Sequence, residues 1–85
     1  MVYTVLLRPA ADRDHRSLPP DVRERITQTL LSLEADPRPS GAVKLTGQHD
    51  RWRVRAGDYR IIYQVDDPMH QVLIIRIAHR REAYR

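Results

Sequence analysis

No cysteine occurs in the 85 residues, so neither a disulfide framework nor a thiolate metal site can brace the fold, and a reducing, cytoplasmic setting fits best. The histidines, His15, His49, His70 and His79, are scattered. None lies three or four residues from another, the spacing that metal ligation from one element needs, so the chain is expected to hold no metal and no cofactor. Long apolar runs are missing too. Val2–Leu7 is too short for the core of an export signal, no basic stretch precedes it, and Arg8 and Pro9 follow at once. Nothing in the chain reads as membrane-spanning or as an export signal. There is no internal repeat, and residues 1–85 allow a single domain with a thin core, because so short a chain buries only a modest share of its surface on folding.

Acidic residues are the minority, 11 against 15 Lys and Arg, for a formal charge of +4. That balance favours polyanionic partners and long-range attraction to nucleic acid, although many small basic domains bind none.

Residues 2–8 carry β-branched and aromatic side chains in alternation and read as a strand ended by Pro9. Ala10–Leu18 reads as a short helix stopped by Pro19-Pro20. A second helix starts there, with Asp21 and Glu24 near its positive end, and Val22, Ile26, Leu30 and Leu33 fall on one stripe. Two prolines and a glycine in Asp36–Gly41 forbid continuation and make a loop. Beyond it the apolar period becomes two, through Val43–Leu45, Arg51–Ala56, Tyr59–Val65 and Val72–Ile77. The expected fold is α+β: a leading strand, a two-helix hairpin, then an antiparallel sheet of three to four strands with helices on one face.

Gly57-Asp58 is a good two-residue hairpin turn, and the turn sets the register. Ala56 should face Tyr59, Val54 face Ile61 and Trp52 face Tyr63, leaving one side of the hairpin apolar. On the other side Arg55 should face Arg60, Arg53 face Ile62 and Arg51 face Gln64. Guanidinium groups directly opposite each other repel, so this placement asks for an anion, and a phosphodiester bridged by Arg55 and Arg60 would supply it. The plain alternative is a solvated polar face on which the long side chains splay apart.

The last strand runs directly into Ala78-His79-Arg80-Arg81-Glu82-Ala83-Tyr84-Arg85. A frayed basic terminus is the simple reading. Against it, the tail leaves an inner strand and can be held near the face that carries Arg55 and Arg60. His79, Arg80, Arg81 and Tyr84 supply what RNA cleavage needs, fixed cations for a phosphorane's charge and groups that exchange protons.

The stretch Trp-Arg-Val-Arg-Ala-Gly-Asp-Tyr-Arg-Ile-Ile-Tyr-Gln-Val-Asp-Asp at 52–67, followed by Ile-Ala-His-Arg-Arg-Glu-Ala-Tyr-Arg at 77–85, resembles the RelE family of the RelE/ParE toxin–antitoxin superfamily. The leading strand, the two helices and the loop before Lys44-Leu45 occur in family order, so the resemblance covers essentially the whole chain. It implies a type II toxin that enters the ribosomal A site and cuts messenger RNA without a metal, the ribose 2′-hydroxyl attacking the adjacent phosphate. It also implies an antitoxin partner covering the basic groove, with the ribosome and mRNA as the other partners. By position, Arg60 resembles the family arginine on the scissile phosphate, Tyr84 the tail tyrosine that orients or deprotonates the attacking hydroxyl, and Arg80 the arginine near the leaving oxygen.

Arg53 and Arg55 stand where well-known members also carry lysines. Arginine stays protonated, so with Arg81 these residues are expected only to bind phosphate and stabilise charge. The base is then Tyr84, His79 or solvent, with His79 placed below Tyr84 because a histidine ending a strand is as often structural. Two other readings stand beside the ribonuclease: a gyrase-directed toxin of the ParE type, and a module that binds RNA or the ribosome without chemistry.

Overall fold

The computed structural model describes residues 2–45, 47 and 50–81. In chain order it contains β1 (Thr4–Leu7), α1 (Pro9–Arg16), α2 (Pro20–Ala35), β2 (Val43–Lys44), β3 (Arg51–Ala56), β4 (Tyr59–Asp66) and β5 (Gln71–His79). The α+β class and the element order are as expected. The sheet is larger than expected, with five strands in the order β1-β5-β4-β3-β2, and it is mixed, because β1 runs parallel to β5 while every other pair is antiparallel. Period two is blind to strand direction. The α1–α2 hairpin carries the chain away from β1 before β5 returns beside it, and a parallel pair requires such a crossover.

Prolines place both helices. Pro9 opens α1 instead of merely ending β1, and Pro20 opens α2, each at a position whose N–H has no intrahelical partner anyway. Arg23, one turn into α2, closes the other end of α1: its guanidinium donates to the carbonyls of His15, Arg16 and Leu18 at 3.3, 3.2 and 2.9 Å. Carbonyls at a helix C-terminus lack partners and carry partial negative charge, so one arginine both caps the helix and fixes the hairpin angle. His15 Nε2 lies 2.8 Å from Thr27 Oγ1 and joins the two helices further along. Thr27 gives its own proton to Arg23 O, so the imidazole is the donor in that contact.

Ile26, Leu30 and Leu33 of α2 are buried and Val22 packs at the edge of the core, as the stripe predicted. They meet Val54, Ala56, Ile61, Tyr63, Val65, Val72, Ile74 and Ile77 on one face of the sheet. Val72 and Ile74 alternate correctly, but Ile77 is out of phase with them. A bulge at Ile75 solves this: Ile62 pairs with Arg76 and Tyr63 with Ile74, so all three apolar side chains face the helices.

β5 also outruns its neighbour. β1 ends at Leu7, where the chain turns into α1, and Arg8 N makes the last ladder bond, to Ile74 O at 3.0 Å. Asp14 of α1 takes over on the exposed edge, accepting from Ile77 N at 2.9 Å and from Arg76 Nε at 2.8 Å. The edge donor is satisfied by a side chain where no strand is available.

Leu33 is fully buried whereas Leu31, on the outer side of the same helix, is 51% exposed. Leu33→Ala should cost about 2–5 kcal/mol and Leu31→Ala roughly 0.5 kcal/mol or less, read from urea unfolding midpoints. Equal losses would contradict this assignment of the helix face.

Candidate functional site

The β3–β4 hairpin has the register that its turn dictates. Arg55 pairs with Arg60, Arg53 with Ile62 and Arg51 with Gln64, while Trp52, Val54 and Ala56 pair with Tyr63, Ile61 and Tyr59. Only the first turn residue, Gly57, has positive φ (+61°), the type II′ arrangement in which glycine belongs at that place. The apolar set faces the helices, and the arginines face the side of the sheet that the helices leave open.

On that open side Arg53, Arg55 and Arg60 line a single cleft of about 320 Å³, closed along one wall by Gly41 and Val43. The hairpin pattern locates the arginines. It does not reveal the wall, which the loop after α2 brings over from the far edge of the sheet, nor the depth at which Arg60 sits. Arg60 is only 7% exposed, and on its β5 side its partner is Ala78. That depth argues against the plain alternative of a solvated polar face at this position. Arg60 is buried because Arg55 flanks it, the Gly41–Val43 segment lies beside it, and alanine opposite leaves room for a guanidinium. Burying a cation carries a desolvation penalty that partners must offset.

The wall is held from outside the cleft. Arg38 donates to both carboxylate oxygens of Asp67, at 3.2 and 2.9 Å, and its guanidinium lies 5.4 Å from the centre of the Trp52 ring. Tyr3 donates to the same carboxylate at 2.7 Å, and the buried Tyr63 hydroxyl donates to Pro37 O at 2.8 Å. The loop that becomes the cleft wall is thus pinned to β3, β4 and the β4–β5 turn. Hydrogen bonds from Arg38 and then Tyr3 hold the Asp67 carboxyl down at about 2, and burial pushes the Tyr63 hydroxyl up to about 12.

The other expected site residues are divided. Arg80 donates its backbone N–H to Asp58 O at 2.7 Å, which brings it to the hairpin turn beside the Arg55–Arg60 pair; Arg80 and Arg81 are both exposed. His79 is not brought to the arginines. It pairs with Tyr59, packs edge-on against that ring at 5.3 Å, and lines a recess with Asp14, Ser17 and Leu18 on the helix side of the sheet. Alternation decides this: Ala78 shares Arg60's face, so the next residue takes the other. His79 Nδ1 accepts from Arg81 N at 3.3 Å. Tyr84 lies outside the described residues.

The chain matches, over residues 5–84, the family described as the ParE toxin of the type II toxin–antitoxin system, parDE. It is 31% identical to toxin RelG of Mycobacterium tuberculosis, over the whole of this chain and 99% of that protein. It is equally identical to the mRNA interferase toxin RelE of Escherichia coli, over 98% of this chain and 88% of that one. The chain belongs to the RelE family of the RelE/ParE superfamily. It is a toxin of a type II toxin–antitoxin system. Among solved structures, the archaeal RelE–RelB complex from Pyrococcus horikoshii superposes with a TM-score of 0.84 at 31% identity, covering 98% of this chain and all of that one. The RelE fold therefore includes β1, both helices and the hairpin that carries the arginines.

Asp67 has a folded-state pKa below its ordinary value of 3.8, so its ionised form stabilises the fold above about pH 4 and that contribution is lost as pH falls towards 2. The stability difference between wild type and Asp67→Asn should narrow across this interval in acid titrations followed by circular dichroism. A difference that stays constant from pH 5 to about 2 would show that the Arg38–Asp67 clamp does not act through charge.

Proposed function

We propose that this toxin is a metal-independent endoribonuclease that cuts messenger RNA in the ribosomal A site and so stops translation. The observation that carries the reading is the convergence of Arg53, Arg55 and Arg60 on one concave cleft. The resemblance to a protein named an mRNA interferase supports it. A scissile phosphate in the cleft takes charge-assisted bonds from Arg55 and Arg60 and relieves their mutual repulsion. The 2′-hydroxyl of the preceding ribose attacks phosphorus, the bond to the 5′-oxygen breaks, and the products are a 2′,3′-cyclic phosphate and a free 5′-hydroxyl.

Guanidinium groups stabilise the negative charge that grows on the phosphoryl oxygens, the task a divalent cation performs in other nucleases. Arg60 holds the phosphate, and Arg80 at the hairpin turn serves the leaving oxygen. Arg53, Arg55 and Arg81 bind flanking charge. None of these gives up a proton, so proton removal from the 2′-hydroxyl falls to Tyr84 or to solvent, and the leaving 5′-oxygen takes its proton from solvent. His79, across the sheet from the cleft, is left to Tyr59 and the tail backbone. The cognate antitoxin is the protein partner; solved relatives are RelE–RelB complexes.

A gyrase-directed reading has the ParE family description behind it. Pulse labelling after induction separates the two: protein synthesis should fail first, and earlier failure of DNA synthesis would favour gyrase. Cleavage should persist in excess chelator and leave cyclic phosphate ends. Loss of activity in EDTA with recovery in magnesium would sink the proposed chemistry.

Arg60→Ala should slow single-turnover cleavage on programmed ribosomes roughly a hundred- to thousandfold, the loss typical of one charge-stabilising donor, and Tyr84→Phe should also cut far more slowly. Because Arg60 is buried, Arg60→Lys, which keeps the charge without the bidentate fork, and a circular-dichroism control separate chemistry from folding. Arg51→Ala, at the far end of the hairpin, should change cleavage much less. Rates within about threefold of wild type for both Arg60→Ala and Tyr84→Phe, far short of the expected loss, would refute the site.

A further inference from the structure

The Gly57-Asp58 turn joins the two arginine-bearing strands, two residues from Arg55 on one and two from Arg60 on the other. Separate segments bring cations to it. From β5 comes Arg80, tied to Asp58 O. From α2 comes Arg25, a residue that neither the hairpin pattern nor the family ending singles out. Its guanidinium lies over Gly57: a Cβ placed there would stand 3.2 Å from Arg25 Nη1 and 3.9 Å from its Cδ. The positive φ is what calls for glycine here, and its missing side chain leaves room for the arginine above it.

The direction in which Arg25 points is informative. Asp21 precedes it by four residues on the same helix, the spacing at which opposite charges pair, and α1 uses that spacing in Arg16–Asp12 at 3.0 Å. Arg25 forgoes it. Among the described residues it takes part in no ion pair, and neither do Arg55, Arg80 or Arg81; all four are exposed. The one acid in the turn is Asp58. Exposed guanidinium groups from α2, the hairpin and the end of β5 thus gather about the turn that joins the two arginine-bearing strands.

We infer that Arg25 is an RNA-binding residue, holding at the hairpin tip a backbone phosphate that flanks the one in the cleft. The inference rests on the ribonuclease reading for the identity of the polyanion, and on the placement of Arg25 for the contact. The place of Arg25 over the turn between the strands that carry Arg55 and Arg60 favours a nucleic-acid strand here over an acidic protein segment. Such a contact is made equally in the ground state and the transition state, so it governs substrate capture and not the chemical step.

The test uses the full chain with Arg25→Ala, Arg25→Lys and Arg25→Gln, checked for folding by circular dichroism. In single-turnover cleavage on programmed ribosomes, Arg25→Ala and Arg25→Gln should raise the half-saturating concentration about tenfold, as expected for one charge-assisted contact, while rates converge at saturation. Arg25→Lys should recover most of the loss, because a point charge suffices for an exposed phosphate. Binding of a short single-stranded RNA carrying a 2′-deoxy residue at the cleavage point removes chemistry from the measurement. Its salt dependence should lose about 0.7 of a logarithmic unit per unit of log salt in Arg25→Ala.

An unchanged half-saturating concentration, or a fall confined to the saturated rate, overturns the inference. So does weakened antitoxin binding with RNA binding intact, which would assign Arg25 to the protein partner. If wild type binds the deoxy-substituted RNA with the Arg25-dependent salt slope yet cuts no substrate, the ribonuclease reading fails and the phosphate contact stands.

Discussion

The placement of the arginines on the open face of this toxin depends on the two-residue turn at Gly57-Asp58. Side chains alternate across a strand, so a slip of one residue would send Arg53, Arg55 and Arg60 into the core and bring Val54 and Ile61 to solvent. The turn is short enough to allow only one register, and Gly57 supplies the positive φ that its first position needs. Arg25 over that glycine and Arg80 on the Asp58 carbonyl then use the turn as a fixed point. A single local constraint thus sets which hairpin side chains face the core and which face the cleft.

The sheet supports that hairpin through devices at β5, its busiest strand. The bulge at Ile75 restores the phase of Ile77, and Asp14 takes the edge donor that β1 leaves when it turns into α1. Arg23 closes α1 against α2, so the helical layer covers the apolar face as one unit. Each device satisfies a backbone group or an apolar side chain that the regular pattern would strand, which matters in a domain with so little core to spare.

Arg60 is nearly buried beside Arg55, at a desolvation cost and with like charges facing across the ladder. In the proposed function, a phosphate in the cleft turns that repulsion into charge-assisted bonding. The Arg38–Asp67–Tyr3 cluster contributes from the far side by fixing the loop that becomes the cleft wall. Binding chemistry and fold meet in that loop, because the same segment carries Pro37, which accepts from Tyr63 in the core, and Gly41, which borders the arginines.

Local order could be read directly from residue order. The α2 stripe, the hairpin register and the arginine-bearing face depend on periodicity and on one turn, interactions within a few residues of one another, and so did the resemblance that pointed to a toxin. The parallel pairing of β1, the fifth strand, the bulge and the Asp14 edge cap depend on which distant segments end up adjacent, and no periodicity records that. The same division runs through the site. Arg53, Arg55 and Arg60 were apparent as a set, whereas the burial of Arg60, the Gly41–Val43 wall, the arrival of Arg25 and the position of His79 across the sheet came from packing between elements. Alternation fixes the face of a side chain, but only the tertiary structure determines what covers it, because burial is a property of neighbours brought from elsewhere in the chain.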